Sequence, residues 1–154
     1  MNRYSIRHDD LQRPEVLALL QLHLDEMHRW SPACKVHAMP AERLRAPDVT
    51  FLSAWSGDTL AAVGALKDLG GGRGELKSMR AAPDFRGKGA GRAMLDALIA
   101  EARTRGMTWL GLETGRPAPF ADAQALYAAN DFRECAPFGD YVSDDFSMCM
   151  ERAL

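Results

Sequence analysis

No stretch constrains the fold of this chain more than Glu75 to Gly106. It opens with a strand-like segment, Glu75-Leu-Lys-Ser-Met-Arg-Ala81, and reaches Pro83. It then turns through Arg86-Gly-Lys-Gly-Ala-Gly91 into a run with apolar residues at helical spacing, closed by Gly106. Thr108-Trp-Leu-Gly-Leu-Glu-Thr114 follows as a further strand. Two strands joined by a helix lie parallel in one sheet, through a right-handed crossover. The turn itself suits an anion. Gly87, Gly89 and Gly91 let successive backbone N–H groups converge, the helix start adds unpaired donors and its positive dipole end, and Arg86, Lys88 and Arg92 add charge. A dinucleotide fold would need this unit at the start of the sheet and an acidic residue about twenty positions on. Here it sits mid-chain, behind three expected strands. A nucleotide-triphosphate loop would need Ser or Thr after Gly-Lys, and Lys88 is followed by Gly89.

The rest of the chain supplies partners for that unit. Tyr4 to Arg7 reads as an edge strand. Glu15 to Met27 reads as a helix after Pro14, with Val16, Leu17, Leu19, Leu20, Leu24 and Met27 at helical spacing. A short helix is expected over Ala41 to Leu44. Val49–Trp55 and Leu60–Leu66 form a hairpin about Gly57-Asp58, and Gly70 to Gly74 reads as a hairpin loop. A last helix spans Ala121 to Ala129, and Arg133–Ala136 and Ser147–Glu151 close the sheet. The class is α/β, one mixed sheet in a single domain over residues 1–154. A net charge of -2 gives no global pull toward nucleic acid. No apolar run approaches the ~20 residues that cross a bilayer, and the N-terminus has no secretory h-region. Cys34, Cys135 and Cys149, odd in number and without metal-ligand spacing, fit a reducing cytoplasm.

With Arg86, Gly89 and Gly91 in the pattern Arg/Gln-x-x-Gly-x-Gly/Ala, behind a strand ending near Pro83, the chain resembles the GNAT (GCN5-related) N-acetyltransferase superfamily almost end to end. Leu126-Tyr127 followed by Phe132 matches the family's Leu-Tyr-x-x-x-Gly-Phe element, with Asp131 in place of the glycine. A closer likeness is to a bacterial subgroup of small, poorly characterised acetyltransferases. It rests on His23-Leu-x-x-Met27, Ser31-Pro32, Val36-His37, Gly64-Ala-Leu-Lys67, Leu112-Glu-Thr-Gly115 and Pro137-Phe-Gly-Asp-Tyr141. The resemblance implies a mostly antiparallel sheet with a central splayed parallel pair flanked by helices, and acetyl-CoA as donor. It places Met79, Arg80 and Ala81 along the pantetheine and thioester, and Gly87, Lys88, Gly89, Ala90, Gly91 and Arg92, after Arg86, around the pyrophosphate.

The resemblance also distributes the chemistry. Tyr127 stands where the family uses a tyrosine as general acid for the leaving thiolate. Glu75, eleven residues before Arg86, holds the place of the base in protein-acetylating members. Strand alternation would put Glu75, Lys77 and Met79 on one face. Glu113 on the neighbouring strand is the rival base or a residue that orients substrate. His23, Met27, His37, Phe138 and Tyr141 are candidates for the acceptor pocket, and Arg80, His28 and Lys77 for a substrate carboxylate. No metal is implied. The expected acceptor is a small-molecule amine, with a protein or peptide amine, or a non-catalytic CoA-binding role, as alternatives. An exposed sheet edge leaves a homodimer open.

Overall fold

The computed structural model describes residues 3–36 and 39–154. Seven strands make one sheet in the order β1-β2-β3-β4-β5-β7-β6, with β1 at Ser5–His8, β2 at Val49–Ser56, β3 at Thr59–Gly70, β4 at Arg73–Ala81, β5 at Trp109–Gly115, β6 at Arg133–Cys135 and β7 at Ser147–Ala153. Every neighbouring pair is antiparallel except β4–β5, which is parallel. The long helices are α1 (Pro14–Trp30), α3 (Ala90–Thr104) and α4 (Ala121–Ala129), and α2 (Ala41–Leu44) is a single turn.

The two sheet faces carry separate apolar clusters. On one, α3 buries Met94, Leu95, Leu98 and Ile99 against Leu66, Leu76, Leu110 and Leu112. On the other, α1 buries Val16, Leu19 and Leu20 with Leu44, Phe51, Trp55 and Val63. The crossover helix ends as its sequence predicts. Gly106 adopts φ 75°, its N–H reaches the Arg103 carbonyl at 3.0 Å, and the Met107 N–H reaches that of Ala102 at 2.9 Å. That paired motif needs a left-handed residue at its centre.

β4 and β5 pair only over Arg73↔Trp109, Gly74↔Leu110 and Glu75↔Gly111, so the strands part beyond Glu75. In β4 the register against β3 slips between Ala65↔Lys77 and Val63↔Arg80, and Ser78 sits at φ 54°. This bulge overturns the expected alternation. Met79 packs with Leu76 into the α3-side cluster, while Glu75 and Lys77 lie on the opposite face, because the extra residue inverts every side chain after it.

Candidate active site

A cleft of about 620 Å³ runs from the start of α3, through the gap between β4 and β5, to the end of α1. At one end the predicted anion turn has free donors. Gly87 and Gly89 adopt φ 73° and 82°, which a Cβ would strain. Among the described residues the amides of Gly87, Gly89, Ala90, Gly91 and Arg92 donate to no backbone carbonyl, whereas Lys88 N–H closes the turn onto the Phe85 carbonyl at 3.2 Å. Four of these donors belong to the cap and first turn of α3, where the helix dipole favours an anion. Gly87, Gly89, Ala90, Gly91 and Arg92 line the cleft, as does Arg86. Lys88 does not: its ammonium lies over the Phe85 ring at 5.9 Å, and its carbonyl accepts the Tyr4 hydroxyl at 2.6 Å. A diphosphate group fits this cradle by donor set and charge.

Arg86 also reaches backward. Its guanidinium is 3.5 Å from Glu26, a buried α1 carboxylate that pairs closely with the buried Arg80. Arg80 lies 5.6 Å from the Trp30 ring. Glu26 was missed in the sequence, although a signal existed: it falls seven residues after the buried Leu19, on the apolar stripe of α1.

Met79, Ala81 and Tyr127 line the middle of the cleft. The Tyr127 ring is buried beside Phe132 at 5.7 Å, and burial pushes its phenol well above the ordinary tyrosine range, so it stays protonated. Its helix ends at Asn130, and Asp131 takes φ 69°. The departure from glycine thus falls at a position that asks for one.

The far end holds two carboxylates. Glu75 is buried, 3.2 Å from Lys77 Nζ, and accepts a close hydrogen bond from the Tyr141 hydroxyl. Lys77 Nζ also donates to Tyr141 at 2.8 Å. Glu113 lies on β5 beyond the last β4–β5 pair. Burial raises its carboxyl to about 7, opposed by Lys77 and helped by Glu75. Lys35 forms a further close pair with Asp144. That lysine, with the Phe146 and Ser147 backbone N–H groups, holds Asp144 down to about 2. Lys35 and Phe146, both on the cleft lining, are further residues the sequence reading did not single out.

His23 and Met27 line the acceptor end, and so does Tyr141. Phe138 does not. Its ring packs against Trp109 at 5.2 Å and Tyr141 at 5.3 Å, behind the cleft wall, because the loop after Gly139 carries Tyr141 inward instead. His28 is exposed, away from the cleft. His37 lies outside the described residues. Among the described residues no group of His, Cys, Asp or Glu is arranged to hold a metal ion, and no helix is long and apolar enough to cross a membrane.

The sequence profile of the Acetyltransferase (GNAT) family matches residues 16–132. The chain is 44% identical to an uncharacterized N-acetyltransferase of Bacillus subtilis, YsnE, over 97% of this chain and 99% of that protein. It is 37% identical to an IAA acetyltransferase of Azospirillum brasilense, over 89% and 91%. A solved structure from Klebsiella pneumoniae, a proposed acyl-CoA N-acyltransferase, superimposes with TM-score 0.78 at 30% identity, covering 98% of this chain and 97% of that one.

Proposed function

Given that the chain belongs to the acetyltransferase (GNAT) family, we propose that it acetylates the primary amine of a small molecule by direct attack in a ternary complex. It is an acetyl-CoA-dependent N-acetyltransferase; acetyl-CoA supplies an acetyl group activated as a thioester. The name of the Azospirillum relative, which refers to a small molecule, supports the acceptor class. So does a cleft lined at its acceptor end by Trp30, Lys35, Phe146 and Tyr141. We further propose one domain over residues 1–154, a cytoplasmic location suited to its free thiols, and an exposed sheet edge available to a second copy.

The residues divide the work as follows. The turn amides of Gly87, Gly89, Ala90 and Gly91, with Arg86 and Arg92, hold the pyrophosphate. The backbone amide of Met79 or Arg80, at the β4 bulge, polarises the carbonyl. Glu113 takes a proton from the attacking amine. Glu75 is less suited to that role, being held between Lys77 and Tyr141. A carbon–nitrogen bond forms, the carbon–sulfur bond breaks, and Tyr127 keeps a proton on its phenol oxygen for the departing sulfur. The observation that carries this reading is a carboxyl poised near neutrality where the parallel strands part, in one cleft with the phosphate cradle. The test is a turnover screen over amines, amino acids and peptides, followed by release of free CoA thiol. Turnover of small amines with Tyr127→Phe and Glu113→Gln impaired, yet still binding CoA, supports it. Selective turnover of peptides would overturn it.

A further inference from the structure

Among the described residues four buried side-chain polar atoms have no hydrogen-bond partner, and three of them belong to residues that line the cleft: His23 Nδ1, Ser78 Oγ and Arg80 Nε. Interiors seldom leave such groups unmatched, so three on one wall mark a place where a ligand atom belongs. The three are brought together by the fold. His23 and Glu26, three residues apart, share a face of α1. Glu26 grips Arg80, and Ser78 stands two residues before Arg80 in the β4 bulge.

All three can donate. The guanidinium Nε–H can only donate, the serine hydroxyl can donate, and a neutral imidazole can carry its proton on Nδ1. Burial and the charge of Arg80 keep His23 neutral, at about 4. An ammonium would meet the Arg80 cation here, and the Glu26 carboxylate beside it is already taken by Arg80. A carboxylate brings two oxygens with about four lone-pair sites. Beside this corner, Trp30 lies 5.6 Å from Arg80 Cζ and 6.0 Å, edge-on, from Phe120, and Phe120 continues at 5.9 Å to Phe146. That ring wall suits an apolar side chain.

We propose that His23, Ser78 and Arg80 form a carboxylate subsite, so that the acceptor is an α-amino acid with an apolar side chain rather than a simple amine. The proposal rests on the small-amine reading above and narrows it. The subsite fixes the carboxylate end, the ring wall takes the side chain, and the amino group is directed toward Glu113. Hydrogen-bonding sites of this kind reject analogues that lack the partner group far more strongly than apolar pockets reject size changes.

The test uses the full-length wild-type protein and matched pairs: phenylalanine against 2-phenylethylamine, and leucine against 3-methylbutylamine. The amino acid is expected to have the higher kcat/KM in each pair, by about 10⁴-fold. Ser78→Ala and His23→Ala are expected to raise the amino-acid KM about tenfold each and to leave acetyl-CoA affinity, measured by calorimetry, unchanged. Decarboxylated amines turned over as well as the amino acids would overturn the subsite while leaving the acetyltransferase reading intact. A loss of acetyl-CoA affinity matching the rise in KM would overturn it too, by assigning the three groups to a carbonyl oxygen of the donor. No turnover of any amine or amino acid would overturn both.

Discussion

Glu113 and Glu75 differ less in identity than in company. Glu75 accepts from a lysine and a tyrosine, whereas Glu113 is held by burial near the pH at which a base must work. Glu113→Gln is therefore expected to lower kcat by about 10²–10⁴-fold, with acetyl-CoA affinity unchanged by calorimetry, and Glu75→Gln by much less. The carboxylate must be ionised to accept a proton, so kcat/KM should rise with pH through about 7, and that limb should vanish in Glu113→Gln. Tyr127→Phe should lower kcat and leave acetyl-CoA binding intact in the same assay. The turn residues could be read in advance because glycine spacing reports backbone geometry directly. The site roles of Glu26 and Phe138 were harder to read, for opposite reasons. A buried glutamate breaks the usual rule that charges face water, and it does so because two arginines from distant sequence meet it. A phenylalanine in a loop can face either way, and here Trp109 decides.

Among the elements, β1 has a role its place at the sheet edge hides. Tyr4, just before it, donates to the Lys88 carbonyl within the anion turn, tying the edge of the sheet to the cradle. Tyr4→Phe is expected to weaken CoA binding several-fold, as loss of about 1 kcal/mol would, measured by titration calorimetry. At the end of α4, Asp131 occupies a left-handed position, with its carboxylate 3.9 Å from Arg152. Asp131→Gly should stabilise the protein by about 0.5 kcal/mol, the left-handed penalty exceeding the added chain entropy, and raise Tm by roughly 1–2 °C. Helices, hairpins and the parallel crossover were legible because apolar periodicity and glycine or proline punctuation encode them. The β4 bulge was not. Ser78 carries no marker of a positive φ, and an alternating pattern with one inserted residue looks the same on paper as one without it. Its effect is large: it sends Met79 into the core and turns Arg80 toward α1.

For the molecule as a whole, the burial that builds the cleft also sets its response to acid. His23 is depressed from 6.5 to about 4 in the folded protein. Its contribution to stability is complete above pH 6.5 and is lost as pH falls toward 4, in total roughly 3 kcal/mol. Glu113 works in the opposite direction. Its raised carboxyl favours the fold below about 4.5 and withdraws that support as pH rises through about 7. Urea unfolding from pH 4 to 7 should therefore show a shallow profile in the wild type, and a clear rise of stability with pH in Glu113→Gln. Arg86 shares Glu26 with Arg80, yet it also stands at the phosphate cradle. A phosphate that draws Arg86 away leaves Glu26 wholly to Arg80, clamping α1 against the sheet only once the donor has arrived. The enzyme is then expected to load in a fixed order, donor first, with CoA competitive against acetyl-CoA and not against the amine in product-inhibition kinetics. Glu26→Gln should blur that order toward random.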